Sequence, residues 1–128
     1  MKNFSRSWKS SSKPSKQRKY RITAPLHIKQ KLIRAHLAKP LREKYGRRAL
    51  GLKKGDKAKV MRGTFTGKEG TIDRLNLKTG KVFITGIEAS KKDGSKVMIP
   101  FEPSNLMIIE LNNIDKMRQK ALERKHHA

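Results

Sequence analysis

The sequence predicts a small, mainly β fold: a barrel of about five short strands, preceded by a basic, partly helical extension and followed by a short helix. Three observations lead there. Short runs of alternating polar and apolar residues recur through residues 49–111, separated by glycine-bearing turns, a spacing that suits a small closed or nearly closed barrel. Only 34% of the 128 residues are apolar, below the usual ~45–50%, so part of the chain builds the core and the rest does not. The charge is also unevenly placed. Residues 1–48 hold 16 Lys or Arg and one acid, Glu43; residues 49–111 hold 12 basic and seven acidic residues; residues 112–128 hold five and two. The middle has the balance of a globular domain, and the front has that of a polyanion-binding arm.

Four segments follow: a basic extended arm (1–22), a helical extension (23–48), the barrel (49–111) and a C-terminal basic helix or tail (112–128). The arm sets its cations among Ser, Pro and Gln and has too little apolar surface to fold alone, so it is expected to order on its partner. In the extension, Pro25 suits a first helical turn, and Leu26, Ile33 and Leu37 fall at helical spacing. Pro40 is expected to end that helix, because the residue before a proline avoids the helical region. A second short helix, Leu41 to Tyr45, stops at Gly46.

In the barrel, Gly55-Asp56 marks a turn before a strand over 57–62 with Ala58 and Val60 on one face. The run Gly63 to Gly70 carries three glycines in eight residues. Strand character resumes at Thr71 to Leu75, with Ile72 inward. A hairpin turn over Asn76 to Gly80 follows, then Val82 and Ile84 in alternation. Asp93-Gly94 is a strong hairpin signal. Val97, Ile99 and Phe101 alternate next, limited by Pro100 and Pro103. Leu106 and Ile108 close the set, with Met107, Ile109 and Leu111 on the other face. Residues 113–125 read as a helix with Ile114, Met117, Ala121 and Leu122 on one face.

A formal net charge of +23 repels itself and calls for a polyanion, of which nucleic acid is the usual one. The candidate phosphate contacts in the arm are Lys9, Lys13, Lys16, Arg18, Lys19 and Arg21. Trp8 and Tyr20 either tuck onto protein or stack on bases. The helical extension offers Lys31, Arg34, Arg42 and Lys44, followed by Arg47 and Arg48, with almost no acids between them. The barrel offers Lys53, Lys59, Arg62 and Lys68. Around the glycine turn, Gly63 and Gly67 let the backbone approach another surface closely, Thr66 supplies a hydroxyl, and exposed amides can meet phosphate oxygens.

Other classes fit less well. No cysteine is present, which removes disulfides and thiolate metal sites. No stretch approaches the ~18 apolar residues of a membrane span. The start of the chain has no hydrophobic run for a secretory signal, and its basic character continues past any normal transit peptide. A membrane-surface anchor wants a larger apolar face than residues 113–125 provide. His27 and His36 have no acid placed to orient them, and His126 and His127 lie in the terminal tail, so neither catalysis nor zinc binding is expected. No metal, cofactor or small-molecule substrate is expected either. The acids, Asp56, Glu69, Asp73, Glu88, Asp93 and Glu102 among them, read as turn formers and charge balancers.

Residues 57–83, with Gly67 central, resemble the KOW motif, which forms part of SH3-like barrels in ribosomal proteins and transcription elongation factors. Lys16-Gln17-Arg18-Lys19, Ala24-Pro25-Leu26-His27 and Leu41-Arg42-Glu43-Lys44-Tyr45 narrow the match, as do Lys54-Gly55-Asp56, Arg62-Gly63 and Pro103-Ser104-Asn105-Leu106. Together they resemble the archaeal form of the universal large-subunit ribosomal protein numbered twenty-four, whose eukaryotic counterpart is numbered twenty-six. The resemblance spans about Phe4 to Leu122. It implies an SH3-like barrel and a structural, non-enzymatic role in the cytoplasmic ribosome. It also implies binding to large-subunit rRNA early in assembly, near the polypeptide exit tunnel and beside neighbouring ribosomal proteins. Pro14-Ser15-Lys16 and Phe101-Glu102 depart from the family's usual residues. A KOW-containing transcription elongation factor is the alternative, but such factors usually add a second domain.

Overall fold

A computed structural model of the chain describes residues 3–112 and 115–124. Two helices and a single-turn 3-10 segment form the front. The 3-10 segment is Arg6–Ser10, α1 is Pro14–Thr23 and α2 is Leu26–Leu32. Then come strand β1 (Arg34–Leu37), helix α3 (Lys39–Tyr45) and strand β2 (Ala49–Gly51). Five further strands follow: β3 (Lys57–Val60), β4 (Glu69–Asn76), β5 (Lys81–Ser90), β6 (Lys96–Phe101) and β7 (Leu106–Glu110). Helix α4 (Lys116–Glu123) comes last.

The fold is mainly β, as expected, but the described residues form seven strands in the order β2-β1-β7-β3-β4-β5-β6. The hydrogen-bonded order does not close on itself. Its two edges are a three-residue strand, β2, and β6, which carries Pro100 and Lys96. Short length, proline and lysine are features that blunt an exposed edge. Inward residues from all seven strands join one buried cluster, including Ala35, Leu50, Val60, Ile72, Val82, Phe101 and Ile108. The sheet therefore curls around a single core.

The extra strands correct the reading of the extension. The helix expected to run from Leu26 to Leu37 ends at Leu32, and Ile33, Ala35 and Leu37 are buried in alternation. This stretch satisfies both periods: Leu26, Ile33 and Leu37 are helically spaced, while Ile33-Arg34-Ala35-His36-Leu37 alternates strictly. The free edge of β7 decides between them, because β1 pairs with it in parallel, His36 beside Met107 and Leu37 beside Ile108. Pro40 accordingly starts a helix rather than ending one, standing in the first turn of α3, where its missing N–H costs nothing. Gly46 ends α3 as expected, at φ 62°, with its N–H donating to the Arg42 carbonyl at 2.8 Å.

The front segment, expected as an extended arm, is helical over α1, with Pro14 in the first turn. It buries no residue in either the 3-10 segment or α1. In the barrel, Gly70 explains the tight β4–β5 pairing: a Cβ there would lie 2.5 Å from the Thr85 carbonyl oxygen and 2.6 Å from Ile84 Cγ2.

The C-terminal helix docks by a different face from the one expected. Leu122 is buried, but Met117 is 72% exposed and the buried neighbour is Arg118. Ile114 lies outside the described residues, as do His126 and His127. Asp56, read as a turn former, is fully buried and forms a bidentate pair with the Arg118 guanidinium, at 2.8 and 2.6 Å. The same carboxylate accepts the amides of Lys53 and Asn112. Arg118 also donates to the carbonyls of Asn112 and Gly51. One side chain thus ties α4 to the loop before β3 and to the end of β2. Asp115 caps α4 by accepting the Arg118 amide. A hydrogen bond from Lys53, then that from the Arg118 amide, holds its carboxyl below the usual carboxylate range.

Candidate nucleic-acid interface

The arm is a built hairpin of helices rather than a loose string of charge. The Gln17 side-chain amide donates to the carbonyls of Trp8, Lys9 and Ser11, at 3.3, 2.9 and 2.8 Å. This folds the 3-10 segment back against α1. Phe4 packs edge-on to Trp8, with centroids 6.4 Å apart, and tilted against Tyr20 at 5.5 Å. Lys16 Nζ lies over the Trp8 ring at 5.3 Å. Trp8 and Tyr20 are half-buried as a result. The protein surface they pack against is the arm's own.

The candidate cations divide by how they are held. Lys9, Lys13, Arg18, Lys19, Arg21, Lys31, Arg34, Arg42, Lys44, Arg48, Arg62 and Lys68 are exposed. Lys16, Arg47, Lys53 and Lys59 are half-buried. Lys53 is paired with Asp115, and Lys59 stands 3.6 Å from Glu69, so each already has an anionic partner. Arg42 Nε donates to the Leu37 carbonyl at 2.7 Å, and Arg47 to the Arg124 carbonyl at 2.9 Å. Both keep guanidinium nitrogens for other contacts. All six ion pairs among the described residues take their cation from positions 53–118. Residues 3–48 contribute none.

The glycine turn is more self-contained than its sequence suggests. Gly63 and Gly67 have φ 99° and 87°, and a Cβ on either would meet nothing, so backbone conformation, not crowding, requires glycine. The amides of Thr66, Gly67 and Lys68 donate to the carbonyls of Gly63, Val60 and Phe65. The Thr66 hydroxyl also donates to the Gly63 carbonyl. These three amides and the hydroxyl are therefore satisfied by carbonyls of residues 60–65. The side chains of Arg62 and Lys68 remain outward, with Lys68 Nζ 5.0 Å from the Phe65 ring centroid.

The candidate contacts read from the sequence leave out Arg6, His27 and Lys29. Arg6 and His27 line a cleft between the arm and α2, together with Lys9, Tyr20, Lys31 and Arg34. Lys29 bridges to the carbonyls of Ile22 and Lys78, linking the helical front to the β4–β5 turn. Among the described residues, no three His, Asp or Glu side chains come together as a metal site would require.

The family of the eukaryotic ribosomal proteins L26 and their archaeal counterparts, numbered twenty-four, matches residues 11–125. The chain belongs to this ribosomal protein family. The "Large ribosomal subunit protein uL24" of Methanocorpusculum labreanum is 43% identical over 114 residues, which is 89% of this chain and 94% of that protein. The protein of the same name from Methanosphaera stadtmanae is 41% identical over 115 residues, 90% of this chain and 98% of its own length. The family match begins after the 3-10 segment and takes in every helix and strand from α1 to α4. Phe101 is buried edge-on to Phe65, with centroids 6.2 Å apart, and Glu102 pairs with Lys81.

Proposed function

We propose that this chain is a structural protein of the large ribosomal subunit that binds rRNA through its basic front, with the β domain setting orientation. The observation that carries the reading is the separation of charge. Among the described residues, six cations of the β domain and α4 stand in ion pairs, Lys53, Lys54, Lys57, Lys59, Lys81 and Arg118, whereas no cation of residues 3–48 does. Unpaired cations on α1, α2 and α3 gain most from phosphate, because neutralising them releases counterions from the RNA. Recognition then follows RNA shape more than base sequence. The names of the relatives support placement in the large subunit. The family resemblance supports binding early in assembly, near the exit tunnel, beside other ribosomal proteins and without catalysis.

The test is a salt titration of full-length protein on large-subunit rRNA, beside sedimentation of the native protein in high-magnesium extracts. Affinity should fall on the order of a thousandfold between about 50 and 200 mM salt if six or more phosphates are contacted. The protein should travel with large subunits. A nearly flat salt response would refute the phosphate contacts. Sedimentation with RNA polymerase instead of ribosomes would favour an elongation-factor role. Incorporation of labelled protein only into late assembly intermediates would refute the early role.

A further inference from the structure

We propose that the cleft between the arm and α2 receives one unpaired nucleotide extruded from the bound RNA. This inference rests on the RNA-binding reading and deepens it. The cleft has a volume of ≈ 470 Å³, within the roughly 300–1,000 Å³ of sites that enclose small organic ligands. Its rim carries four cations, Arg6, Lys9, Lys31 and Arg34, and no carboxylate. None of the four is in an ion pair among the described residues. By contrast, the cleft beside the 77–80 turn contains Glu102, and the one beside Lys53 contains Asp115.

Cations alone would suit any phosphate. The walls say more. Tyr20 and His27 are planar rings on the cleft, and Ile28 and Leu32 give it an apolar side. Leu32 is 46% exposed, so part of its apolar surface is left for an occupant. Phe4 packs against Tyr20, and Gln17 ties together the two segments that carry Lys9 and Tyr20. The Tyr20 ring is therefore placed before anything binds. A base stacked in a duplex cannot reach such a cleft, whereas a splayed base stacks on aromatic side chains while its phosphates meet the rim.

The test uses the full chain and two RNA hairpins, identical except that one carries a single unpaired adenosine. Binding is followed by electrophoretic mobility, with free adenosine monophosphate as competitor. The bulged hairpin should bind roughly tenfold more tightly, the scale of one base stacked on an aromatic ring. His27→Ala and Tyr20→Ala should reduce that preference, and Lys68→Ala should weaken both hairpins alike. His27 is exposed, so its replacement keeps the test meaningful even if Tyr20→Ala loosens the arm. Equal binding of both hairpins by the unaltered chain would overturn the cleft's role and leave RNA binding standing. Binding of neither hairpin nor rRNA would remove the parent reading. Tighter binding of adenosine monophosphate than of the bulged hairpin would overturn the RNA source in favour of a free nucleotide.

Discussion

Replacing Arg118 with Met keeps much of the side chain's length and removes its charge. Asp56, fully buried, would retain only two backbone donors, the amides of Lys53 at 3.0 Å and Asn112 at 3.2 Å. Two carbonyls, those of Gly51 and Asn112, would lose the guanidinium as well. Breaking a buried pair by removing one partner costs about 3–5 kcal/mol, because the remaining charge is left uncompensated. That is a large share of the roughly 5–15 kcal/mol that holds an ordinary domain together. The melting temperature should fall on the order of 10–20 °C. The assay is urea and thermal unfolding of the full chain, followed by circular dichroism. The Asp56→Asn, Arg118→Met double variant should recover part of the loss, since it carries no buried charge. A loss under about 1 kcal/mol for Arg118→Met, the scale of an exposed pair, would refute the view that this pair anchors α4. A double variant as unstable as the single would show that packing, not charge, sets the cost.

Three other outcomes follow from the structure. Gly70→Ala should destabilise by about 1–3 kcal/mol, an overpacking cost, because the new Cβ meets the Thr85 carbonyl and Ile84; an unchanged urea midpoint would show that β4 and β5 can part without penalty. Gln17→Ala should cost the arm about 1 kcal/mol of local order and weaken rRNA binding while the β domain's unfolding midpoint stays put. The fluorescence of Trp8, the sole tryptophan, reports the first effect, and no change in it would mean that Gln17 does not hold the hairpin. The native carboxyl of Asp115 is held below its ordinary range, so its contribution is present above the unfolded pKa and is lost as pH falls through the lower native one. Docking of α4 should therefore weaken below about pH 4, and Asp115→Asn should flatten that part of the stability–pH curve, measured by urea midpoints at stepped pH.

Much of the β domain is legible in the sequence because its punctuation is local. Gly46, Gly80 and Gly94 each sit at positive φ where a turn or helix end is expected. Ala58, Val60, Ile72, Val82, Ile84, Leu106 and Ile108 are all buried, as their alternation indicates. Residues 33–37 mislead because one stretch carries two periods, and the partner that chooses between them lies on β7. Asp56 misleads for the same kind of reason. A turn signal is visible in sequence, but an arginine distant in the chain that neutralises it is not. The arm's charge can be read directly, whereas its hairpin cannot, since Gln17 holds it through main-chain carbonyls, which every residue possesses. At the glycine turn, the sequence does not reveal that the amides of Thr66, Gly67 and Lys68 already have carbonyl partners.

The parallel pairing of β1 with β7 has a consequence for the order of events during synthesis. Leu37 leaves the translating ribosome long before Ile108, its neighbour in the sheet. Until then β1 can pair only with β2, in a two-stranded ribbon too small to be stable by itself. Closing so long a loop is slow compared with local folding. The cationic front thus emerges well before β7, the strand that joins β1 to the rest of the sheet. During that interval it is a tethered polycation, free to meet RNA before the rest of the protein exists.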